Sequence, residues 1–105
     1  LLASQAFVRN KVGVALSKNT FVNHEARKVL AQQGLKDEDP DFVRYAISVM
    51  EDNVRERPKD AKSWILLSYL YNRVEGWGAK RDVAADRALE LAPNRQSVQK
   101  LQELR

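Results

Sequence analysis

His24 is the only histidine in the chain and the first candidate for a general base in proton-transfer chemistry. A base of this kind needs a nucleophile to activate, and no serine or cysteine near His24 lies in a recognisable nucleophile motif. Asn23, a residue type that commonly begins a helix, comes directly before it. We therefore expect His24 to be a surface or capping residue, and we predict no catalytic residues.

A second chemical candidate is the acidic run Asp37–Asp39, followed by Asp41, because carboxylates attract cations. The run lacks the alternating oxygen ligands and central glycine of an EF-hand loop, which favours a solvated connector and a helix cap. The segment Gly76–Gly78 is too short to cradle a phosphate and has no following Lys-Ser/Thr. We therefore predict no metal site and no cofactor.

Trp77 lies between two glycines, and this position allows two interpretations. As a candidate exposed aromatic residue, it could anchor a glycan or a protein partner. Alternatively, its ring folds back on the protein's own core.

The charge pattern favours an ordinary solvated surface. The chain has 18 Lys and Arg residues against 14 Asp and Glu residues, a formal net charge of +4. The basic residues are scattered among acidic ones, whereas a nucleic-acid surface would concentrate like charge on one face. A basic surface that contacts nucleic acid or anionic lipid is the alternative. The lack of cysteine excludes a disulfide framework.

Helical periodicity predicts about six helices and therefore an all-α fold. The first lies within residues 1–22. The second is predicted to begin at Asn23 and to end at Gly34, because glycine readily adopts the left-handed conformation that ends a helix. Asp39 is predicted to cap the third helix, which carries a buried apolar stripe and ends before Pro58.

The second half of the chain continues this helical pattern. Asp60 is predicted to cap the fourth helix, which is followed by a turn at Gly76–Gly78. The fifth helix is predicted to run from about Ala79 to Leu91 and to pack closely through small alanines. Asn94 is predicted to cap a last helix that covers the end of the stack.

The fourth helix carries the most informative motif, Trp64-x2-Leu67-Ser-x2-Tyr71. It differs by one small residue from the W-x2-L-G-x2-Y pattern of a tetratricopeptide repeat. Pro58 and Pro93 lie 35 positions apart, close to the repeat period of about 34. The chain thus resembles the tetratricopeptide family, which implies an α-solenoid of antiparallel helix pairs that binds other proteins.

Aligned on its prolines, the chain is interpreted as a single domain with four parts. Residues 1–22 form a leading helix, and residues 23–58 form a degenerate first unit. Residues 59–93 form the best-preserved unit, and residues 94–105 form a capping helix. Because the chain begins with Leu rather than Met, we expect it to be part of a longer protein.

The resemblance implies a binding groove lined by the first helix of each unit. In the best-preserved unit the corresponding residues are Lys62, Ile65, Tyr69, Asn72 and Arg73. Ile65 and Tyr69 stand where a clamp for a peptide carboxylate would need lysine and asparagine. The expected ligand is therefore an apolar or amphipathic peptide. Self-association through an uncovered edge of the stack is a further expectation, and no nucleic-acid partner is expected.

A more specific resemblance begins with Ala15–Arg27, which is similar to the segment that joins the membrane domain to the C-terminal repeats in bacterial O-antigen ligase and polymerase relatives. The blocks 60–61, 69–73 and 88–96 are similar to the repeats that follow that segment. This resemblance implies a soluble appendage of a bacterial inner-membrane protein that handles lipid-linked glycans in lipopolysaccharide or exopolysaccharide biosynthesis. Membrane contact would come only through the parent protein. Its side of the membrane is left open, and a cytoplasmic protein is the alternative.

Overall fold

The computed structural model describes residues 23–105, and this part of the chain folds into helices without a β-strand. The leading helix predicted within residues 1–22 lies outside the described residues. Residues 23–105 contain five α-helices, α1 (His24–Lys36), α2 (Pro40–Glu56), α3 (Ala61–Asn72), α4 (Gly78–Leu91) and α5 (Gln96–Leu101), and a 3-10 turn (Gln102–Leu104) follows α5.

The helices form two successive hairpins and a terminal helix. α1 packs on α2 and α3 packs on α4, and in both pairs a short connection reverses the chain. α3 also contacts α1 and α2 of the preceding hairpin. α5 then packs on both α3 and α4. α3 is thus the central helix, in contact with each of the other four.

The predicted starts of α1 and α2 are confirmed. The Asn23 Oδ1 atom accepts hydrogen bonds from the backbone N–H groups of Glu25 and Ala26, at 3.0 and 3.1 Å. At α2, the Asp39 Oδ1 atom accepts from the N–H of Asp41 at 2.9 Å, with Pro40 in the first turn. These side chains satisfy backbone donors that have no partner within the helix.

The prediction that α1 ends at Gly34 is wrong. The helix continues to Lys36, and Gly34 is a buried helical residue without a positive φ angle. A Cβ atom at Gly34 would lie 2.8 Å from the Cβ atom of Ala46 on α2. Gly34 is therefore needed for close approach of two helices, and the turn conformation of glycine plays no part there.

Three other helix ends differ in detail from the predictions. Asp60 precedes α3, as predicted, but its side chain makes no capping bond to the helix backbone and binds side chains instead. α4 begins one residue early, at Gly78, after a turn in which Gly76 has a φ angle of +85°. The residue before α5 is Arg95, not Asn94, and it makes no side-chain capping bond.

The core follows the predicted apolar stripes. The stripe of α2 is buried throughout, as are the small residues of α4 and the two apolar residues of α5, in a set comprising Phe42, Val43, Ala46, Ile47, Met50, Val54, Ala84, Ala85, Ala88, Val98 and Leu101. One cluster joins α1 through α4, and a second joins α3, α4 and α5. Trp64 packs against both clusters.

Candidate peptide-binding surfaces

The residues of the predicted groove do not form one free surface. Lys62 is exposed, but Ile65 is only 6% exposed and packs against Ala85, Val98 and their neighbours in the second cluster. Tyr69 is half-buried against the same cluster. The cause is α5, which packs directly on α3. Ile65 is therefore a core residue and unavailable to a partner.

The two remaining groove candidates are exposed but already engaged within the chain. The Arg73 guanidinium donates to the carbonyl oxygens of Leu35 and Asp37, at 2.8 and 2.6 Å. Because these carbonyls lie at the end of α1, Arg73 stabilises that helix end and ties α3 to it. The Oδ1 atom of Asn72 accepts from Arg81 at 3.0 Å.

Trp77 folds back on the protein, so the candidate exposed aromatic residue is half-buried. Its ring meets that of Tyr71 edge-to-face, with centroids 5.9 Å apart. The Lys80 ammonium lies 4.1 Å and the Arg44 guanidinium carbon 5.4 Å from its centroid. Both distances fall within the range of cation–π attraction. The Trp77 ring is thus in contact with a tyrosine and two cations of the chain itself.

The residues of the sequence motif hold the helices together. Leu67 is 1% exposed, and the half-buried Trp64 donates from its Nε1 atom to the Pro58 carbonyl oxygen at 2.8 Å. This bond connects α3 to the turn before it. The carbonyl oxygen of Pro93 accepts from Gln99 at 2.9 Å in the turn before α5. Both prolines lie in turns between helices and are exposed.

Tyr71 links α3 to α2. Its hydroxyl donates to the Glu51 Oε2 atom at 2.6 Å. Burial, together with the negative charge and hydrogen bond of Glu51, raises the pKa of Tyr71 above its ordinary value. Tyr71 is therefore neutral at physiological pH, and its hydroxyl remains a donor.

An open apolar groove lies between α3 and α4, with a volume of about 320 Å³. Its lining residues are Trp64, Tyr71, Ala79, Lys80, Val83 and Ala84. Val83 is 67% exposed, although it is a large apolar residue. The structure therefore places an accessible apolar surface beside the sequence motif, on a face that the groove prediction did not include.

Sequence reasoning missed Val83 and Lys80 as surface candidates. The signal available was the position of Val83, which is out of phase with the alanines that α4 buries. Lys80 precedes Val83 by three residues, so the two share one face of the helix. An apolar residue on an otherwise polar helix face is a weak signal by itself, since single exposed apolar residues are common.

A polar network joins the first hairpin to α3. The Lys28 ammonium donates to the Asp60 Oδ2 atom at 2.6 Å and lies 3.0 Å from a carboxylate oxygen of Glu25. The Ser63 hydroxyl donates to the same Asp60 oxygen at 3.0 Å, and the buried Asn53 amide donates to Ser63 at 2.8 Å. The network therefore fixes α1 and α2 against the start of α3.

The pKa shifts in this network follow from its hydrogen bonds. Burial opposes ionisation of Asp60, but the bonds from Lys28 and Ser63 dominate and hold the Asp60 pKa below its ordinary value. Burial likewise opposes the charge of Lys28, yet its bonds to Asp60 and Glu25 raise its pKa. Each group thus favours the charged state of the other.

His24, predicted to be a surface or capping residue, is half-buried beside the end of α2. Its Nε2 atom lies 3.1 Å from Glu56 Oε1, and Arg27 lies 3.1 Å from the same oxygen. Hydrogen bonding from Arg27 is the main cause that lowers the Glu56 pKa. Within residues 23–105, no group of three or more histidine or acidic side chains is placed to hold a metal ion.

None of the helices that the structure describes is both long and apolar enough to cross a bilayer. No family model, curated protein sequence or solved structure matches the chain.

Proposed function

We propose that the chain is a protein-interaction domain of the tetratricopeptide type, whose stacked hairpins present a surface to another polypeptide. The proposal rests on one observation, a packing relation between helices that repeats along the chain. α1 of the first hairpin contacts α3 of the second, and α3 in turn contacts α5. A succession of helix pairs in which each unit contacts its neighbour is typical of helical-repeat proteins that bind other chains.

Contacts between the hairpins support a rigid binding surface. The Lys28–Asp60 pair and the bonds from Arg73 to Leu35 and Asp37 join α3 to the first hairpin at its two ends. Binding to a surface that is already ordered loses less conformational entropy than binding to one that must order. By keeping α3 and the first hairpin ordered, these contacts would lower the entropy cost of binding a partner.

The alternative, a basic surface for nucleic acid or anionic lipid, is less well supported. Ion pairs to carboxylates engage several cations within the described residues: Arg27, Lys28, Arg55, Arg81, Arg87 and Arg105. A cation that already has a carboxylate neighbour contributes less to a positive field. Phosphate binding would also require like charges along one face.

A peptide selection tests the proposed function. The 105-residue chain is immobilised and used to select from a random peptide library, with the core variant Met50→Asp as an unfolded control. Met50 is fully buried, so an aspartate there removes the packed surface. The proposal predicts a recurring peptide pattern that binds the parent chain and not the control. Equal enrichment on both proteins, or no recurring pattern, contradicts it.

Salt dependence separates the proposal from its alternative. Selected peptides should keep most of their affinity between 50 and 200 mM salt, where a protein with several phosphate contacts loses about three orders of magnitude or more. A chain that binds duplex DNA or anionic vesicles with this steep dependence, and selects no peptide, belongs to the alternative class.

The finer proposal is that the domain belongs to an O-antigen ligase-like membrane protein of bacteria. It rests on the sequence similarity of Ala15–Arg27 and the three blocks that follow. The coding sequence upstream of Leu1 tests it. Several apolar spans of about 20 residues each support a membrane parent. Further helical hairpins in their place point to a larger repeat protein and contradict the finer proposal alone.

A further inference from the structure

We propose that the groove between α3 and α4 binds an amphipathic polypeptide segment whose apolar side chains enter the groove and whose carboxylate lies beside Arg44 and Lys80. This inference rests on the proposed function and specifies the binding face and the chemistry of the partner. The α3–α4 groove is a different surface from the groove predicted from the sequence, which included Lys62, Ile65 and Tyr69.

The groove lining indicates that the partner has apolar side chains. Trp64 and Tyr71 contribute from α3, and Ala79, Val83 and Ala84 contribute from α4. Val83 is 67% exposed at the groove, so a partner that covers it removes apolar surface from water. A groove between two helices that is lined in this way suits an amphipathic segment with apolar anchors.

A carboxylate on the partner is inferred from two cations that have no carboxylate partner among residues 23–105. Arg44 and Lys80 lie 5.4 and 4.1 Å from the Trp77 centroid and form no ion pair there. Trp77 contacts Tyr71, which lines the groove, so these charges are near the apolar surface.

A cation above a ring still has donors for a carboxylate. The Lys80 ammonium has three N–H donors, and the Arg44 guanidinium has five. Glu51, which contacts the groove residue Tyr71, already accepts a bond from the Tyr71 hydroxyl. Charge complementarity at the groove therefore selects an aspartate or glutamate of the partner.

Three synthetic peptides of about 15 residues test this chemistry, a length near the minimum for a marginal helix in water. The probe peptide has leucines at helical spacing of three and four with glutamates between them. One matched peptide replaces the glutamates with lysines, and another replaces the leucines with serines. Fluorescence anisotropy of the labelled peptides, titrated with the 105-residue chain, measures the affinities.

We expect the acidic amphipathic peptide to bind with a dissociation constant on the order of 10⁻⁵ M, as for a small transient interface. The other two peptides should bind at least about tenfold more weakly, because one lacks the carboxylates and the other lacks the apolar side chains. Equal binding of the lysine peptide overturns the assignment of an acidic partner. Equal binding of the serine peptide overturns the apolar groove.

Surface variants locate the site, and each has a matched control. Val83→Glu should weaken binding at least about tenfold, whereas Val29→Glu, at a 57% exposed valine on α1, should change it by less than about twofold. Lys80→Ala should weaken it about three- to fivefold, and Lys62→Ala should have no effect. All four positions are exposed, so the fold is retained. Lys80→Glu should shift preference toward the lysine peptide.

The outcomes separate this inference from the proposed function. If Val29→Glu or Lys62→Ala weakens binding as much as its groove counterpart, the face assigned here is wrong and peptide binding stands. If the acidic probe does not bind while the library selection yields another peptide class, the inference fails and the proposed function stands. If neither probe nor library peptides bind, both fail.

Discussion

Substitution of Gly34 by alanine tests the helix packing, because two effects of opposite sign compete there. Within a helix, Ala in place of Gly is favoured by about 0.8–1.0 kcal/mol. Against this, the new Cβ atom would lie 2.8 Å from Ala46 Cβ and 3.4 Å from a methyl carbon of Leu70. Packed carbon atoms normally lie about 3.5–4.0 Å apart.

The steric effect should be the larger one. The Cβ atom of Ala46 is attached directly to the α2 backbone, so relief requires the helices themselves to move. Overpacking of this kind costs about 1–3 kcal/mol. After subtraction of the propensity gain, we expect Gly34→Ala to lower the free energy of unfolding by about 1 kcal/mol. For a domain of this size that corresponds to a melting temperature about 4–8 °C lower.

Urea unfolding followed by far-ultraviolet circular dichroism measures the change, and a double-mutant cycle assigns its cause. Ala46→Gly removes the atom that the new Cβ meets, so the double variant Gly34→Ala/Ala46→Gly should show a favourable coupling of about 1 kcal/mol or more. A more stable Gly34→Ala protein would refute the close approach. The close approach would also be refuted if the effects of the two substitutions on the free energy of unfolding simply add in the double variant.

Three further predictions concern contacts around α3. Trp64→Ala should lower the free energy of unfolding by about 3 kcal/mol, which is at the lower end of the range for buried tryptophan because Trp64 is half-buried. Trp64→Phe loses mainly the bond to Pro58, so in the same urea assay it should lower the free energy of unfolding by about 1 kcal/mol. Arg73→Ala should lose about 1 kcal/mol through its bonds to the end of α1, whereas an unchanged stability would make Arg73 a free surface residue. Asp60→Asn should lose about 2 kcal/mol at neutral pH by breaking the pair with Lys28. The pKa of Asp60 is lowered in the folded state, so this contribution is fully present above the unfolded value of about 3.9 and is lost as pH falls through the folded pKa. The stability difference between the Asp60→Asn and parent proteins should therefore shrink in acid; a difference that stays constant with pH would contradict the assigned shift.

The helices were predictable where local chemistry decides the structure. Asn23 and Asp39 have short polar side chains that can cap a helix, and both do so. The stripe from Phe42 to Val54 has helical spacing, and its members are buried. The error at Gly34 has a physical cause: the same residue type suits a helix end and a close helix contact, and only the position of Ala46 distinguishes them.

The candidate surfaces were less predictable, because they depend on how helices distant in sequence meet. Ile65 is buried by residues of α4 and α5, which no pattern within α3 reveals. Arg73 is engaged by carbonyls of the α1 end, more than 30 residues away in sequence. Arg44 and Lys80 come from different hairpins and meet only at Trp77. The interpretation that Trp77 folds back on the core was the correct one of the two.

A nuclear magnetic resonance titration tests the central claim, that this chain binds another polypeptide at the α3–α4 groove, most directly. The nitrogen-15-labelled 105-residue chain is titrated with the acidic amphipathic peptide, and backbone and indole N–H signals are followed. The account predicts saturable shifts concentrated at Arg44, Trp64, Lys80 and Val83, with little change at Lys62. Shifts centred on Lys62, or no saturable shifts at peptide concentrations well above 10⁻⁵ M, on the order of the expected dissociation constant, would contradict it.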